Sequence, residues 1–345
     1  MNIYRLIRPL LFLCPPEAIH AASLQLFHQA ARLGCLPSWN ISPRALERRF
    51  WGLSFPNPVG LAAGFDKNGV ALPAWERLGF GFVEIGTVTP RPQKGNAKPR
   101  LFRVPREHAL VNRMGFPNEG ALAIRRRLER LKEEGQWPKI PVGINIGKQK
   151  ETPIPEAARD YVEVFTHLRE LGDFFVLNVS SPNTPELRRL ETPEMLLRLL
   201  DAVAACHPPR HSPKPVLVKL SPDHTEQELE KLVTLLGEAP CQGIVFCNTS
   251  LKTSPDGLRG GWSGAPLKEK ATRLLRKIAT WASPRLVLIG VGGIESPDDA
   301  YERLAAGADL LEIYTGLVYR GPSLARELSL GLWKRGIPAR RVPVP

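Results

Sequence analysis

The chain has 345 residues, of which 43% are hydrophobic and 23% charged, and its formal net charge is +13. This length suits one α/β barrel with a sizeable core. The basic balance favours anionic partners such as nucleic acid, anionic lipid or an acidic small molecule. The sequence contains no Lys/Arg-rich run and no RNA-binding sheet motif, so we do not expect nucleic-acid binding.

The five cysteines are widely scattered, and none forms a C-x-x-C pair. They are Cys14, Cys35, Cys206, Cys241 and Cys247. The seven histidines show no metal-ligand spacing either. We therefore expect a reducing cytosolic environment and no iron–sulfur, zinc or other metal site in this chain.

Residues 1–38 have the pattern of two short helices separated by Pro15-Pro16, one over 2–13 and one over 17–33. Ile3, Leu6 and Leu10 share one face of the first helix. Periodicity favours a helical hairpin packed on the main domain, because most amphipathic helices simply pack. The alternative is an interfacial membrane anchor. No apolar run is long enough to span a bilayer, and we expect no signal peptide.

After residue 40, short apolar runs alternate with amphipathic helical segments. The predicted strands lie near 59–62, 82–85, 142–146, 174–179, 216–220, 243–246, 286–289 and 310–314. The predicted helices lie near 70–78, 119–134, 155–171, 192–205, 224–238, 266–281, 297–306 and 322–333. Eight strand–helix units predict a closed (β/α)8 TIM barrel over 39–345, with the two helices as a small N-terminal extension. Two hairpin-like pieces, 46–55 and 100–104, could cover the barrel floor or flank its entrance.

Polar and glycine residues concentrate at the carboxyl ends of these strands, where such barrels carry their active sites. They are 63–67, 86–87, Asn145, 178–184, Lys219, 248–249, 290–293 and 314–316. Lys219 lies in an apolar strand and needs a partner, which could be a structural ion pair or a ligand. The glycines after strand seven, with Tyr-Thr-Gly after strand eight, predict a phosphorylated cofactor. NAD is less expected, because no Rossmann fingerprint opens a first βα unit.

At these residues the chain resembles the class 2, quinone-linked dihydroorotate dehydrogenases over about residues 2–333. The motifs that carry the resemblance are Gly60-Leu-Ala-Ala-Gly-Phe-Asp-Lys-Asn-Gly69, Gly86-Thr-Val-Thr-Pro-Arg-Pro-Gln-Lys-Gly-Asn96, Asn112-Arg-Met-Gly-Phe116, Asn178-Val-Ser-Ser-Pro-Asn-Thr184, Gly261-Trp-Ser-Gly-Ala-Pro-Leu267 and Ile289-Gly-Val-Gly-Gly-Ile294.

The resemblance implies FMN as the cofactor. Its phosphate would lie near Gly264, Gly293, Tyr314 and Thr315. The rest of the flavin site would comprise Ala63, Gly64, Phe65, Asp66, Lys67, Thr87, Asn145, Asn178, Lys219 and Cys247. Cys247 stands where family members often carry a hydroxyl residue, so we expect a local change in flavin contacts without loss of activity.

The resemblance also implies dihydroorotate as substrate and orotate as product, in the synthesis of UMP. The substrate would contact Lys67, Asn112, Arg113, Met114, Gly115, Phe116, Asn178, Asn183, Asn248 and Thr249. Ser181 matches the class 2 catalytic base, where class 1 enzymes place a cysteine. A serine hydroxyl is a poor base in water, and the family pattern points to a proton relay near Thr184 and Phe116.

The resemblance to class 2 enzymes changes the interpretation of residues 1–38, because it implies a quinone entrance that lies on an anionic membrane surface. His20 and Arg103 match positions near the quinone end, although each also suits a plain structural role. We expect a monomer bound peripherally to the cytoplasmic side of the cell inner membrane. Two alternatives stay open: another FMN barrel, such as a class 1 or dihydropyrimidine-type reductase, and a non-enzymatic membrane-binding scaffold.

Overall fold

The computed structural model describes residues 3–39, 43–184, 186–207 and 213–338. Its helices are α1 (Ile3–Leu13), α2 (Pro16–Arg32), α3 (Leu72–Arg77), α4 (Ala121–Glu133), α5 (Ala157–Leu168), α6 (Pro193–Ala204), α7 (Glu226–Glu238), α8 (Lys268–Trp281), α9 (Pro297–Ala305), α10 (Thr315–Arg320) and α11 (Leu324–Arg335). Its strands are β1 (Arg48–Phe50), β2 (Leu53–Phe55), β3 (Val59–Leu61), β4 (Phe82–Val88), β5 (Leu101–Val104), β6 (Ala109–Asn112), β7 (Val142–Ile146), β8 (Phe174–Asn178), β9 (Val216–Leu220), β10 (Gly243–Phe246), β11 (Ser250–Thr253), β12 (Arg259–Gly264), β13 (Val287–Val291) and β14 (Leu310–Ile313).

Eight parallel strands close into a barrel in the order β3, β4, β7, β8, β9, β10, β13 and β14, and β14 pairs again with β3. Every residue of these strands is buried. Burial on both faces explains why the strands appear in the sequence as continuous apolar runs. The predicted (β/α)8 barrel is confirmed.

The predicted strand–helix units match the observed ones to within a few residues, with one addition. Helix α10 follows β14 directly and has only six residues. Such a length is too short to show a helical repeat of apolar positions, so the sequence pattern did not predict it.

The two short pieces outside the alternating pattern lie at opposite ends of the barrel. Hairpin β1–β2 places Phe50 and Phe55 in one apolar cluster with Phe82 and Phe174, the first residues of two barrel strands. The hairpin therefore covers the barrel floor. The 100–104 piece forms β5, the edge of a four-stranded antiparallel sheet with β6, β12 and β11. Since β11 and β12 follow β10, this sheet stands at the carboxyl end of the barrel.

The N-terminal helices attach to the barrel through side-chain hydrogen bonds and through packing of α2. The Tyr4 hydroxyl donates to Val318 O at 2.6 Å, and Arg8 donates to Tyr319 O at 2.8 Å. Leu24 is the buried residue of α2. The apolar face of α1 is exposed instead of packed, with Ile3, Leu6, Leu10 and Leu13 at least 61% exposed. Within the described ranges, no helix has both the length and the apolar character needed to cross a membrane.

Candidate functional site

A cavity of about 1090 Å³, including its open entrance, lies at the carboxyl ends of the barrel strands. Nineteen of the residues expected to bind cofactor or substrate line it. They are Ala63, Gly64, Lys67, Thr87, Asn112, Met114, Gly115, Phe116, Asn178, Ser181, Asn183, Lys219, Cys247, Asn248, Thr249, Gly264, Gly293, Tyr314 and Thr315. One space thus joins residues that lie in, or follow, seven of the eight barrel strands, as parallel packing requires.

The cavity floor is charged and fully enclosed. We use this name for Glu84, Asn145, Lys219 and Glu312, which project from four barrel strands. Lys219 and Glu312 line the cavity, and Glu84 and Asn145 lie behind them. Lys219 Nζ lies 3.5 Å from Glu84 Oε1 and 3.6 Å from Glu312 Oε2. Burial by itself would lower the pKa of Lys219, but the two carboxylates raise it above its ordinary value. Lys219 is therefore both ion-paired and part of the cavity lining.

An amide and hydroxyl network runs from this floor toward the substrate loops. Asn145 Nδ2 donates to Glu84 Oε1 at 2.6 Å, and the Thr87 hydroxyl donates to Asn145 Oδ1. Asn178 Nδ2 donates to Thr87 Oγ1 at 2.9 Å. Asn248 Nδ2 then donates to Asn178 Oδ1 at 3.2 Å. Because these side chains fix one another's orientation, they present a preset pattern of donors and acceptors to a ligand.

At the glycine end of the cavity, the packing of the chain leaves no room for a side chain at two positions. A Cβ on Gly264 would lie 2.2 Å from His108 O, and one on Gly293 would lie 2.6 Å from Lys268 Cα. Arg303, buried behind this turn, donates to Val291 O at 2.6 Å and to Gly292 O at 2.7 Å. The carbonyl groups are thus held toward the guanidinium while the glycines line the cavity. Such a turn suits a phosphate group.

The opposite end of the cavity collects hydrogen-bonding groups around Ser181. Asn183 Nδ2 donates to Asn112 Oδ1 at 2.8 Å, and the Asn183 backbone N–H donates to Ser181 Oγ at 3.3 Å. Ser181 is 6% exposed. The neighbouring Thr184 Oγ1 is buried and has no hydrogen-bond partner within the described residues. A buried hydroxyl without a partner is free to take part in a relay with a ligand or water.

Lys67 supplies a positive charge at the end of the cavity that contains Ser181. Its ammonium donates to Gly64 O at 2.6 Å. Burial lowers the pKa of Lys67 to about 8, although the nearby carboxylate of Glu17 acts to raise it. An ammonium at this position suits a carboxylate ligand.

The two residues expected near a quinone lie where the N-terminal helices meet the barrel. His20 Nε2 lies 2.8 Å from Phe65 O, so this nitrogen carries the proton. Burial and then the charge of Lys67 lower the pKa of His20 to about 3. Arg103 donates to Phe12 O at 3.0 Å and to Cys14 O at 2.9 Å. Both side chains thus tie the extension to the barrel.

Some expected site residues lie near the cavity without lining it. Asp66 accepts hydrogen bonds from the Val70 and Ala71 amides and from Trp75 Nε1, which is a structural arrangement. Phe65, Asn145 and Thr184 lie behind the lining, and Arg113 is exposed, with its guanidinium 5.0 Å from the Phe102 ring centre.

The sequence analysis did not single out the two glutamates of the cavity floor. Glu84 and Glu312 each interrupt an apolar strand, the same signal that singled out Lys219. Three charged residues in three buried strands indicate an ionic cluster inside the barrel. It also missed Ser263, whose hydroxyl lies 2.8 Å from Thr315 Oγ1 at the glycine end. No sequence signal distinguished this serine from a turn residue.

Comparisons with known proteins agree with this geometry. The family model described as dihydroorotate dehydrogenase matches residues 45–335. The chain is 44% identical to a dihydroorotate dehydrogenase (quinone) of Synechococcus sp. (strain JA-2-3B'a(2-13)), covering 100% of this chain and 97% of that protein. It is 46% identical to a dihydroorotate dehydrogenase (quinone) of Gloeobacter violaceus, covering 97% and 95%. The solved structure of a ligand-free DHODH from Eimeria tenella superposes with a TM-score of 0.85 at 34% identity, covering 93% and 96%. The chain belongs to the dihydroorotate dehydrogenase family.

Proposed function

We propose that this protein oxidises (S)-dihydroorotate to orotate with FMN as its resident cofactor and passes the electrons to a quinone, a step in UMP synthesis. One observation carries the proposal: the hydroxyl of Ser181 and the paired amides of Asn112 and Asn183 line the same cavity as the glycine turn. The printed names of the relatives support the choice of substrate and acceptor.

The residues present fit FMN. Gly264, Gly293 and Thr315 would hold the phosphate, because they line the cavity and glycines leave backbone N–H groups open to such a ligand. Thr87, Asn178 and Lys219 would surround the edge of the ring with polar groups whose orientation is fixed by their own network. When bound, FMN supplies the two-electron acceptor for the hydride that leaves carbon 6 of the substrate.

The substrate end fits a small planar acid. Lys67 would bind the carboxylate of dihydroorotate, and the asparagine amides would bind the amide edges of its ring. Ser181 would remove the proton from carbon 5. Burial excludes competing water, and the Asn183 amide donates to its oxygen. The Thr184 hydroxyl, which has no hydrogen-bond partner among the described residues, would carry the proton onward beside Phe116.

Residues 1–38 would form the quinone entrance and residues 39–345 the catalytic domain. The exposed Leu6, Leu10 and Leu13 give the extension an apolar surface that suits lipid. The positive net charge favours an anionic membrane surface. The enzyme would be a monomer bound peripherally to the cytoplasmic side of the cell inner membrane. His20 and Arg103, which join the extension to the barrel, would lie at the quinone end.

The test is a steady-state assay with dihydroorotate and a soluble quinone. We expect Ser181→Ala to lower turnover at neutral pH by about 10² to 10⁴ fold, because a positioned general base usually contributes a rate factor of this size. Flavin absorbance should remain. Ser329→Ala, at a buried serine of α11, is the matched control and should keep normal turnover.

Three outcomes would contradict the proposal. Normal turnover of Ser181→Ala would remove the assigned base. Activity that requires fumarate or NAD, with none toward quinone, would favour another FMN barrel. A purified protein that is colourless and binds no FMN would favour the scaffold alternative.

A further inference from the structure

Two buried carboxyl groups face one lysine at the cavity floor, and the proton abstraction proposed for Ser181 does not by itself need them. Glu84 and Glu312 are both 0% exposed, and Lys219 is 5% exposed. Lys219 lies within 3.6 Å of an oxygen of each. If all three groups were ionised, the floor would hold an uncompensated negative charge away from water, which is strongly unfavourable.

The hydrogen bonds at the floor also fall short of what two carboxylates require. Asn145 Nδ2 donates to Glu84 Oε1. Glu84 Oε2 and both oxygens of Glu312 have no hydrogen-bond partner among the described residues. A buried carboxylate is stable only when donors reach its oxygens. A proton on one carboxyl group removes a charge and supplies the missing donor at once.

The electrostatics identify Glu312 as the group that keeps the proton. Burial, reinforced by the charge of Glu84, raises the pKa of Glu312 well above its usual range. The flanking strands β3 and β13 contribute no titratable side chain. Tyr314 and Cys247, which also line the cavity, have pKa values raised to about 12 by burial and stay neutral. Lys219 and Glu84 are thus the charged groups that Glu312 faces.

We propose that Glu84 and Glu312 hold one proton between them beside Lys219. Glu312 then carries this proton and acts as a neutral hydrogen-bond donor. When Glu312 loses the proton, a negative charge appears at the cavity floor, next to the proposed flavin site. This inference rests on the proposed binding of FMN and makes Glu312 a positioning residue that tunes the electron affinity of the cofactor. A negative charge beneath a redox group disfavours the addition of electrons. The reduction potential of the bound flavin should therefore fall more steeply with pH than the flavin alone dictates.

The shared proton is tested by infrared spectroscopy, which separates the carbonyl stretch of a protonated carboxyl group from that of a carboxylate. We expect the wild-type protein to show a buried-acid band at about pH 6 that disappears toward about pH 9, the range documented for buried glutamates. Glu312→Gln should abolish the band. Glu84→Gln, which leaves Glu312 alone with Lys219, should abolish it too. Glu129→Gln, at an exposed ion pair of α4, is the control and should retain it.

The effect on the cofactor is tested by measuring the flavin reduction potential against pH. Glu312→Gln preserves the shape and the neutral state of the side chain. Its potential should match that of the wild type at about pH 6 and exceed it by at least about 30 mV at about pH 9, which is a tenfold change for a two-electron couple.

A wild-type protein without the acid band, or a band that survives both variants, would overturn the proposal. A potential difference that stays constant across the pH range would also overturn it. Loss of the band in either variant assigns it to this pair, so the question can still be decided if the other variant fails to fold. Because the infrared band depends on neither flavin nor dihydroorotate turnover, this proposal and the proposed function can fail separately.

Discussion

Arg100 and Glu17 join the N-terminal extension to the barrel, with Arg100 Nη2 2.9 Å and Nε 3.0 Å from Glu17 Oε1. The arginine side chain is 8% exposed. Its Nη1 also donates to Lys94 O and Asn96 O. Asn96 in turn donates to Asn183 O at 3.0 Å, next to the Ser181 loop. One guanidinium therefore connects α2 with the segment that supports the substrate end.

This connection predicts different effects for its two partners. Glu17→Gln should loosen the extension and raise the KM for quinone several-fold. It also removes a charge that raises the pKa of Lys67, so the KM for dihydroorotate should stay near normal only when it is measured well below about pH 8. Arg100→Met should raise both KM values, because it also removes the hydrogen bonds from the guanidinium to Lys94 O and Asn96 O. Removing one partner of a largely buried ion pair lowers the free energy of unfolding by about 3 to 5 kcal/mol. Steady-state kinetics with each substrate varied in turn checks the prediction, with Glu129→Gln as the surface control. Equal effects of both variants on both KM values would argue against it.

The lowered pKa of Lys67 predicts weaker binding of an acidic substrate in alkaline solution. A lysine with a pKa of about 8 is charged below that pH and becomes neutral as the pH rises through it. Since the neutral amine binds a carboxylate poorly, the dissociation constant of orotate should rise by about tenfold per pH unit well above that pKa. Titration of orotate against flavin absorbance measures this constant.

Lys67→Arg is the control for the alkaline effect, because a guanidinium stays charged throughout this range. Its orotate affinity should therefore change little with pH, even if it is weaker overall. A wild-type affinity that stays constant up to about pH 10 would contradict the role given to Lys67.

The position of Arg303 predicts a loss of flavin affinity without direct contact. Arg303→Met should weaken FMN binding by at least tenfold, because two buried carbonyls of the glycine turn lose their donor and each such loss costs about 1 to 3 kcal/mol. Reconstitution of the flavin-free protein, followed by the quenching of FMN fluorescence, measures the affinity. Arg273→Met, at an exposed ion pair of α8, should bind FMN normally. If both variants bound FMN equally, Arg303 would have no role in holding the turn.

The barrel and most of the candidate site were predictable because buried parallel strands and their polar carboxyl ends are local sequence patterns. Lys219 stood out for this reason. Its partners Glu84 and Glu312 come from strands 135 and 93 positions away along the chain, and only barrel closure brings them together. The apolar residues of α1 show the opposite limit. Periodicity finds Leu6 and Leu10 on one face but does not reveal that this face remains exposed.

Asp66 gives the clearest distinction between a motif residue that binds the cofactor and one that supports the loop. Its carboxylate accepts three hydrogen bonds from Val70, Ala71 and Trp75, and it is 0% exposed. Asp66→Asn replaces one accepting oxygen with an NH2 group that faces a donor, which costs about 1 to 3 kcal/mol. We expect a lower melting temperature with unchanged flavin content at low temperature.

Thermal unfolding followed by circular dichroism, with flavin content measured separately, checks the Asp66 prediction. Asp298→Asn, whose side chain is 79% exposed in its ion pair with Arg335, is the matched control and should unfold like the wild type. Loss of flavin from Asp66→Asn without a change in melting temperature would instead assign the carboxylate to the cofactor. The structure favours a lower melting temperature with unchanged flavin content, because all three donors to Asp66 belong to the loop and helix that follow it.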